Sequence, residues 1–323
     1  MIGDFPILEH SDLVTSHEAT RSGFIEIALE RNRKGTPFIT EARYIRELSR
    51  STNTPRELLD IIELKPCLLT AAGISDKAAQ YFTDEDKNEA IINFIENFLE
   101  PSGRDYSDEL TYRYLLTRGD SLGGMMRNLA GKIGEEKFTN YLLAALRVNQ
   151  IRHNVWYNKD GKCASDHSMV GGVFNSKNVK AICWEHADRQ RLLIYNTKIP
   201  AVDKNIDLSI INLSPGVEDK KIITEAVNLI TREPGYILAF GELKGGIDPA
   251  GADEHWKTAN TALQRIRTAY DQRIPYTFFV ASAIEDSMAI EIFKQLRTGV
   301  LSGVANLTKD NQMTALVNWI INL

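Results

Sequence analysis

Glu242 and Lys244 stand two positions apart at the end of the apolar run "GYILAFGELKGG", residues 235–246. Residues i and i+2 of an extended strand share a face, so this carboxylate and this ammonium lie side by side where a buried element ends. Oxygen ligands of this kind suit a hard divalent cation, magnesium above all. An adjacent ammonium can orient a water or offset charge on a phosphate. The spacing E-x-K is common on its own, and a structural ion pair at a strand end is the ordinary alternative.

A second acid would strengthen the metal reading, and the preceding run "NIDLSIINLSPG", residues 205–216, supplies Asp207 ahead of an alternating apolar stretch. Asn212 lies further along the same run. If the two strands are parallel, with the intervening helical segment as a crossover, their C-terminal ends coincide and position 212 approaches Glu242. If they are antiparallel, Asp207 does. An amide offers one neutral oxygen, so Asn212 would be either a polar turn residue or an inactivating replacement of an aspartate. The metal set is therefore Glu242 with Asp207 or Asn212.

Two further residues follow in the loop "GGIDPAGADEH". His255 opens a helix after this glycine-rich segment and could fold back as general base, because an imidazole is largely neutral at physiological pH. A helix-surface histidine is the alternative. Asp248 could accept a hydrogen bond from a cytosine amino group in a major groove, or equally cap the helix. His153, His167 and His186 show no ligand spacing and read as structural.

The elements that must position these groups change character near residue 153. Before it, "TEARYIRELSRST", "TPRELLDIIELKPCLLTAAG", "TDEDKNEAIINFIENFLEPSG" and "SDELTYRYLLTRG" combine capping hydroxyls, early acids and helical apolar spacing. After it, "NVKAICW", "RLLIYNTKI", "IDLSIINL", "GYILAFGELK" and "YTFFVASAI" are β-branched and aromatic runs bounded by turn residues. Helical segments alternate with them. The fold class expected is α/β, or α+β if the helices are counted apart, with a mixed central sheet flanked by helices and an N-terminal helical lobe. The division predicted is a lobe over residues 1–117 and a core over 118–323.

The 323 residues are 43% hydrophobic and 25% charged, the composition of a folded globular chain rather than a disordered one. No run approaches the roughly 18 apolar residues of a membrane span. The start lacks a basic then apolar leader, so a cytoplasmic location is expected. Three cysteines, Cys67, Cys163 and Cys183, have no C-x-x-C spacing and read as buried thiols. The net charge of −5 argues against a uniformly basic nucleic-acid binder. Even so, arginines crowd positions 31–56 while acids crowd 84–100, which allows a basic face beside an acidic one or simply solvated helix surfaces. No strand-GxxxxGK[ST]-helix context exists, so an NTPase is not indicated. A glycosidase would need paired acids but no lysine between them.

Taken together, Asp207 on one strand and Glu242-x-Lys244 on the next resemble the PD-(D/E)xK nuclease superfamily, although Ile206 stands where a proline is usual. With the helical lobe and the segment "GELKGGIDPAGADEHWK", the chain resembles a type II restriction endonuclease. The segment "RGDSLGGMMRNLAGKIGEEKF" is similar to the helix leading into the sheet of such enzymes, which makes Arg118, Arg127 and Lys132 candidates for DNA phosphates. The resemblance implies a magnesium-dependent homodimer that cuts double-stranded DNA at the palindrome C-Py-C-G-Pu-G and leaves a 5′ overhang. A repair-type nuclease of the same superfamily and a non-catalytic DNA-binding protein are the competing readings.

Overall fold

The computed structural model describes residues 5–157, 163–165, 176–187, 189–213 and 221–323. His167 lies outside them. By packing, the chain divides into two compact units, residues 25–129 and residues 1–24 together with 130–323. Both boundaries, 24/25 in one helix and 129/130 in another, fall inside continuous helices, as does the division expected at 117/118.

The helical unit is built from α1 (His17–Ser49), α2 (Lys65–Ala71), α3 (Asp84–Phe94) and α4 (Tyr106–Val148), with α1 beginning before it and α4 ending after it. α1 is much longer than the stretch read from sequence, since it runs through Pro37. α3 starts on a capping box in which the Thr83 hydroxyl accepts from the Asp86 amide while Asp86 accepts from the Thr83 amide. Ile45, Leu58, Leu64, Leu68, Leu99, Leu110 and Tyr114 close its core. The opposing charge runs partly neutralise each other here: Arg56 meets Glu96 at 2.9 Å and Glu100 at 2.6 Å, and Arg46 meets Asp108 at 2.8 Å.

Among the described residues the other unit holds an eight-stranded mixed sheet. Its strands are β1 (His153–Tyr157), β2 (Cys163–Ser165), β3 (Val179–His186), β4 (Arg189–Ile199), β5 (Lys204–Leu213), β6 (Ile237–Lys244), β7 (Tyr276–Ala281) and β8 (Gly303–Asn306). They lie in the order β2-β1-β3-β4-β5-β6-β7-β8, antiparallel up to the β5–β6 pair and parallel from β6 to β8. Between strands run α5 (Ile222–Arg232), α6 (Ala252–Ala269) and α7 (Asp286–Arg297), and α8 (Asp310–Ile321) follows β8. The α/β class expected from sequence is the observed one. β1, β2 and β8 were not anticipated.

The strand period of two sorts side chains onto two faces. Ile182, Trp184, Leu193, Tyr195, Leu208, Ile210 and Phe278 pack with Phe138, Leu142 and Leu146 of α4 and with Leu316 and Ile320 of α8. Cys183, Leu192, Ile194 and Phe240 pack on the opposite face with Ala226 and Leu229 of α5 and Ile266 of α6. In β6, Ala239 and Leu243 join the first cluster and Phe240 the second. Glu242, two residues after Phe240, is thereby turned toward the α5/α6 face.

Cys67 and Cys183 are buried, as expected, while nothing is described of the Cys163 side chain. His153 is buried with Nδ1 2.9 Å from the Ile151 carbonyl oxygen.

Candidate active site

β5 and β6 pair antiparallel, with Leu208 opposite Gly241, and one step beyond that pair Asp207 comes opposite Glu242. The helix α5 between them is not a parallel crossover: the chain returns on the neighbouring position running the other way. Of the two positions, the register brings Asp207 and not Asn212 opposite Glu242. Asn212 lies at the far end of β5, opposite Arg191 of β4 and beyond the Ile211–Ile237 pair that starts β6. Asn212 is therefore corrected from a candidate catalytic and metal-binding residue to a buried strand residue distant from Glu242.

Lys244 joins the two acids. Its Nζ donates to Glu242 Oε2 at 2.7 Å and to Asp207 Oδ2 at 2.9 Å, and the Leu243 amide also donates to Asp207 Oδ2 at 2.9 Å. Leu243 points to the α4/α8 side and anchors there, so the main chain carrying its amide is held by apolar packing. Glu242 is 4% exposed, and its Oε1 is buried with no hydrogen-bond partner among the described residues.

Burial raises the Glu242 carboxyl to about 7, with the charge of Asp207 adding to the rise and Lys244 opposing it. Burial would lower the Lys244 ammonium, but Glu242 and Asp207 outweigh it and the net shift is upward. Two acids share one ammonium, and the deeper of them keeps an unused oxygen. A divalent cation fits this donor set: it would satisfy Glu242 Oε1 and remove the repulsion that lifts the Glu242 carboxyl. Among the described residues no group of three or more His, Cys, Asp or Glu side chains forms a metal cluster, so protein carboxylates alone offer Asp207 and Glu242.

The acids open into a trough of about 440 Å³ lined also by Lys244, Lys204 and one face of α6, namely Lys257, Thr258, Thr261 and Arg265. This face was missed in the sequence reading. Its signal was present as polar residues at helical spacing opposite the buried Trp256, Ala259, Leu263 and Ile266.

The remaining sequence candidates lie apart. His255 is exposed in the first turn of α6, one turn before Thr258, and is not among the residues lining the trough. Asp248 is exposed, and its Oδ1 accepts from the Ala250 amide at 2.9 Å, an Asx-type turn rather than a cap on α6. Arg118 was expected to be available for phosphates; instead it donates to Asp76 at 3.0 Å and to the Tyr114 hydroxyl at 3.2 Å, and lies over the Phe38 and Tyr114 rings. Arg127 and Lys132 are exposed on α4.

Among the described residues no helix is long and apolar enough to cross a membrane.

Comparison with known proteins gives a family match over residues 6–323 to the model described as "Restriction endonuclease BsobI". The chain is 44% identical over 321 residues to the type II restriction enzyme AvaI of Nostoc sp. and, to the same extent, to that of Anabaena variabilis, covering 99% of both chains in each case. It is 44% identical over 315 residues to the type II restriction enzyme BsoBI of Geobacillus stearothermophilus, covering 97% of this chain and 95% of the relative. With the match running almost end to end, the chain belongs to the BsobI restriction endonuclease family, and with it to the type II site-specific deoxyribonucleases.

Proposed function

We propose that this enzyme hydrolyses phosphodiester bonds of double-stranded DNA at C-Py-C-G-Pu-G, leaving a 5′ overhang, with magnesium held by Asp207 and Glu242. The observation that carries the reading is the convergence of these two carboxylates on Lys244 while Glu242 Oε1 has no hydrogen-bond partner among the described residues. What a divalent ion supplies at such a place is Lewis acidity toward a phosphoryl oxygen and a water acidified toward neutral pH.

The chain's own residues do the rest. Lys244 keeps its proton through the physiological range, because its ammonium is stabilised by both acids. It serves as a fixed positive charge beside the phosphate and as an orienting donor, not as a base. His255 takes the proton from the attacking water when the substrate strand lies across the start of α6. The exposed side chains of Arg127 and Lys132 contact phosphates, and Asp248 accepts from a cytosine amino group with the oxygen that its turn leaves free.

A palindromic target calls for a twofold homodimer, each subunit presenting one site to one strand. We place the enzyme in the cytoplasm, where its DNA substrate lies.

The test is incubation with mixed-sequence DNA and magnesium followed by sequencing of the ends. Discrete ends at C-Py-C-G-Pu-G with 5′ extensions are expected. Random ends, or nicks alone, would overturn the reading.

A further inference from the structure

The trough is longer than one phosphate. From Lys257 to Arg265 its α6 wall rises about 12 Å at roughly 1.5 Å per residue. Duplex DNA advances about 3.4 Å per nucleotide along each strand, so this wall spans about three nucleotide steps. The acids and Lys244 occupy one part of the trough. Cationic side chains stand around them: Lys204 where β5 begins, Lys257 and Arg265 on α6.

These cations are not equivalent. Lys257 donates to Asp253 one turn earlier on the same helix, so its charge is already matched. Lys204 and Arg265 form no ion pair with any described residue. The nearby acid that could have taken Lys204, Asp203, is held by Lys198 at 2.8 Å. Of the two wall hydroxyls, Thr261 donates to the Lys257 carbonyl oxygen at 2.8 Å, which commits its proton. Thr258 is exposed on the same face. Two exposed cations outside any described ion pair, on the rim of a cavity whose inner members are the half-buried Asp207 and the buried Glu242, make a surface matched to a polyanion.

We infer that Lys204 and Arg265 hold the DNA phosphates that flank the scissile one on the cleaved strand, with Thr258 as a neutral donor between them. This rests on the endonuclease reading and adds to it a backbone grip that sets which phosphodiester lies over Asp207 and Glu242. Contacts of this kind carry no base information; they fix register and orientation.

The experiment is duplex binding by fluorescence anisotropy in EDTA, where cleavage is silent, between 50 and 200 mM salt, on two duplexes of unrelated sequence. Removing one cation from a phosphate should reduce the salt slope by about one, which makes the fall in affinity over that range about three- to fourfold shallower. Lys204→Ala and Arg265→Ala should each do this, the double variant twice, and equally on both duplexes. A double variant with an unchanged slope, or a weakening confined to one duplex, overturns the inference. Should the double variant fail to fold by circular dichroism, Arg265→Lys against Arg265→Gln decides, the first keeping the slope and the second reducing it. Cleavage by the unmodified enzyme with magnesium is the separate check. If it cleaves and the slopes do not move, only the grip is refuted; if it does not cleave, the endonuclease reading fails first.

Discussion

Gly134 of α4 and Gly245, the residue immediately after Lys244, meet main chain to main chain. A Cβ added to Gly134 would fall 2.5 Å from the Gly245 Cα, and one added to Gly245 would fall 2.4 Å from the Ala130 carbonyl oxygen. Neither atom is the end of a flexible side chain, so the backbone itself would have to move. The end of β6, and with it Lys244, is pressed into place by a helix turn that only glycine permits.

Gly245→Ala and Gly134→Ala are therefore expected to cost about 1–3 kcal/mol of stability through overpacking. They should also lower kcat by up to about 10²-fold, because a displacement near 1 Å at Lys244 is enough to do so. Gly246→Ala is the control, since its added Cβ meets no described residue within 4 Å. Its stability should stay within about 0.5 kcal/mol of the parent. Urea denaturation and steady-state cleavage of the three variants measure both effects, and equal losses at 245 and 246 would contradict the close approach.

Stability should fall as pH rises through the range governed by Glu242. Its folded-state carboxyl lies at about 7, above the ordinary value of 4.5. A proton bound more tightly in the folded chain stabilises it fully below about 4.5 and ceases to do so as pH passes about 7. Without metal, Glu242→Gln should therefore gain thermal stability relative to the parent between pH 5 and 8. Adding magnesium at pH 8 should raise the parent's midpoint and leave the variant's unchanged, because only the ionised carboxylate binds the cation. Cleavage should be lost in the variant at every pH.

The lysine–glutamate pair was legible because the strand period alone puts positions 242 and 244 on one face, and that rule needs no tertiary information. Which residue of β5 faces Glu242 was not, because strand direction is a tertiary property: the same apolar run can pair either way, and only the Leu208–Gly241 register puts Asp207 rather than Asn212 there. β8, Gly303–Asn306, and β2, Cys163–Ser165, escaped because such short strands carry no measurable alternation and form only against a neighbour. The run of 3-10 turns over 55–64 and the passage of α1 through Pro37 were likewise invisible, since packing overrode local propensity at both places. Arg118 shows the limit for charged residues. Nothing in its neighbours along the chain announces that Asp76 and Tyr114 will take its donors.

Removing the ammonium at position 244 should change more than rate. Lys244 lowers the Glu242 carboxyl through both charge and a hydrogen bond, against burial and Asp207, which raise it. In Lys244→Met the opposing influence is gone, so the Glu242 carboxyl must rise above about 7. The acid limb of metal binding, followed by calorimetry with magnesium at several pH values, should move to higher pH than in the parent. A limb that stays in place would mean that the ammonium does not feel the carboxylate as the 2.7 Å contact requires.

Asn212→Asp separates the two possible first acids directly. If position 212 completed the metal site, an aspartate there would restore a missing ligand and raise cleavage by orders of magnitude. Asn212 instead pairs with Arg191 across β4 and β5, at the opposite end of β5 from Asp207. A carboxylate placed there would face a guanidinium already donating to the Leu323 carbonyl oxygen at 2.8 and 3.0 Å. Its effects should be confined to that neighbourhood, and specific activity should stay within about a factor of two of the parent. Asp207→Asn, by contrast, removes the negative charge that faces the Lys244 ammonium and replaces one carboxylate oxygen by an amide nitrogen that cannot bind a cation. It is expected to abolish cleavage with the fold intact, and the pair of variants assayed side by side on one DNA substrate reads the direction of β5 against β6 from activity alone.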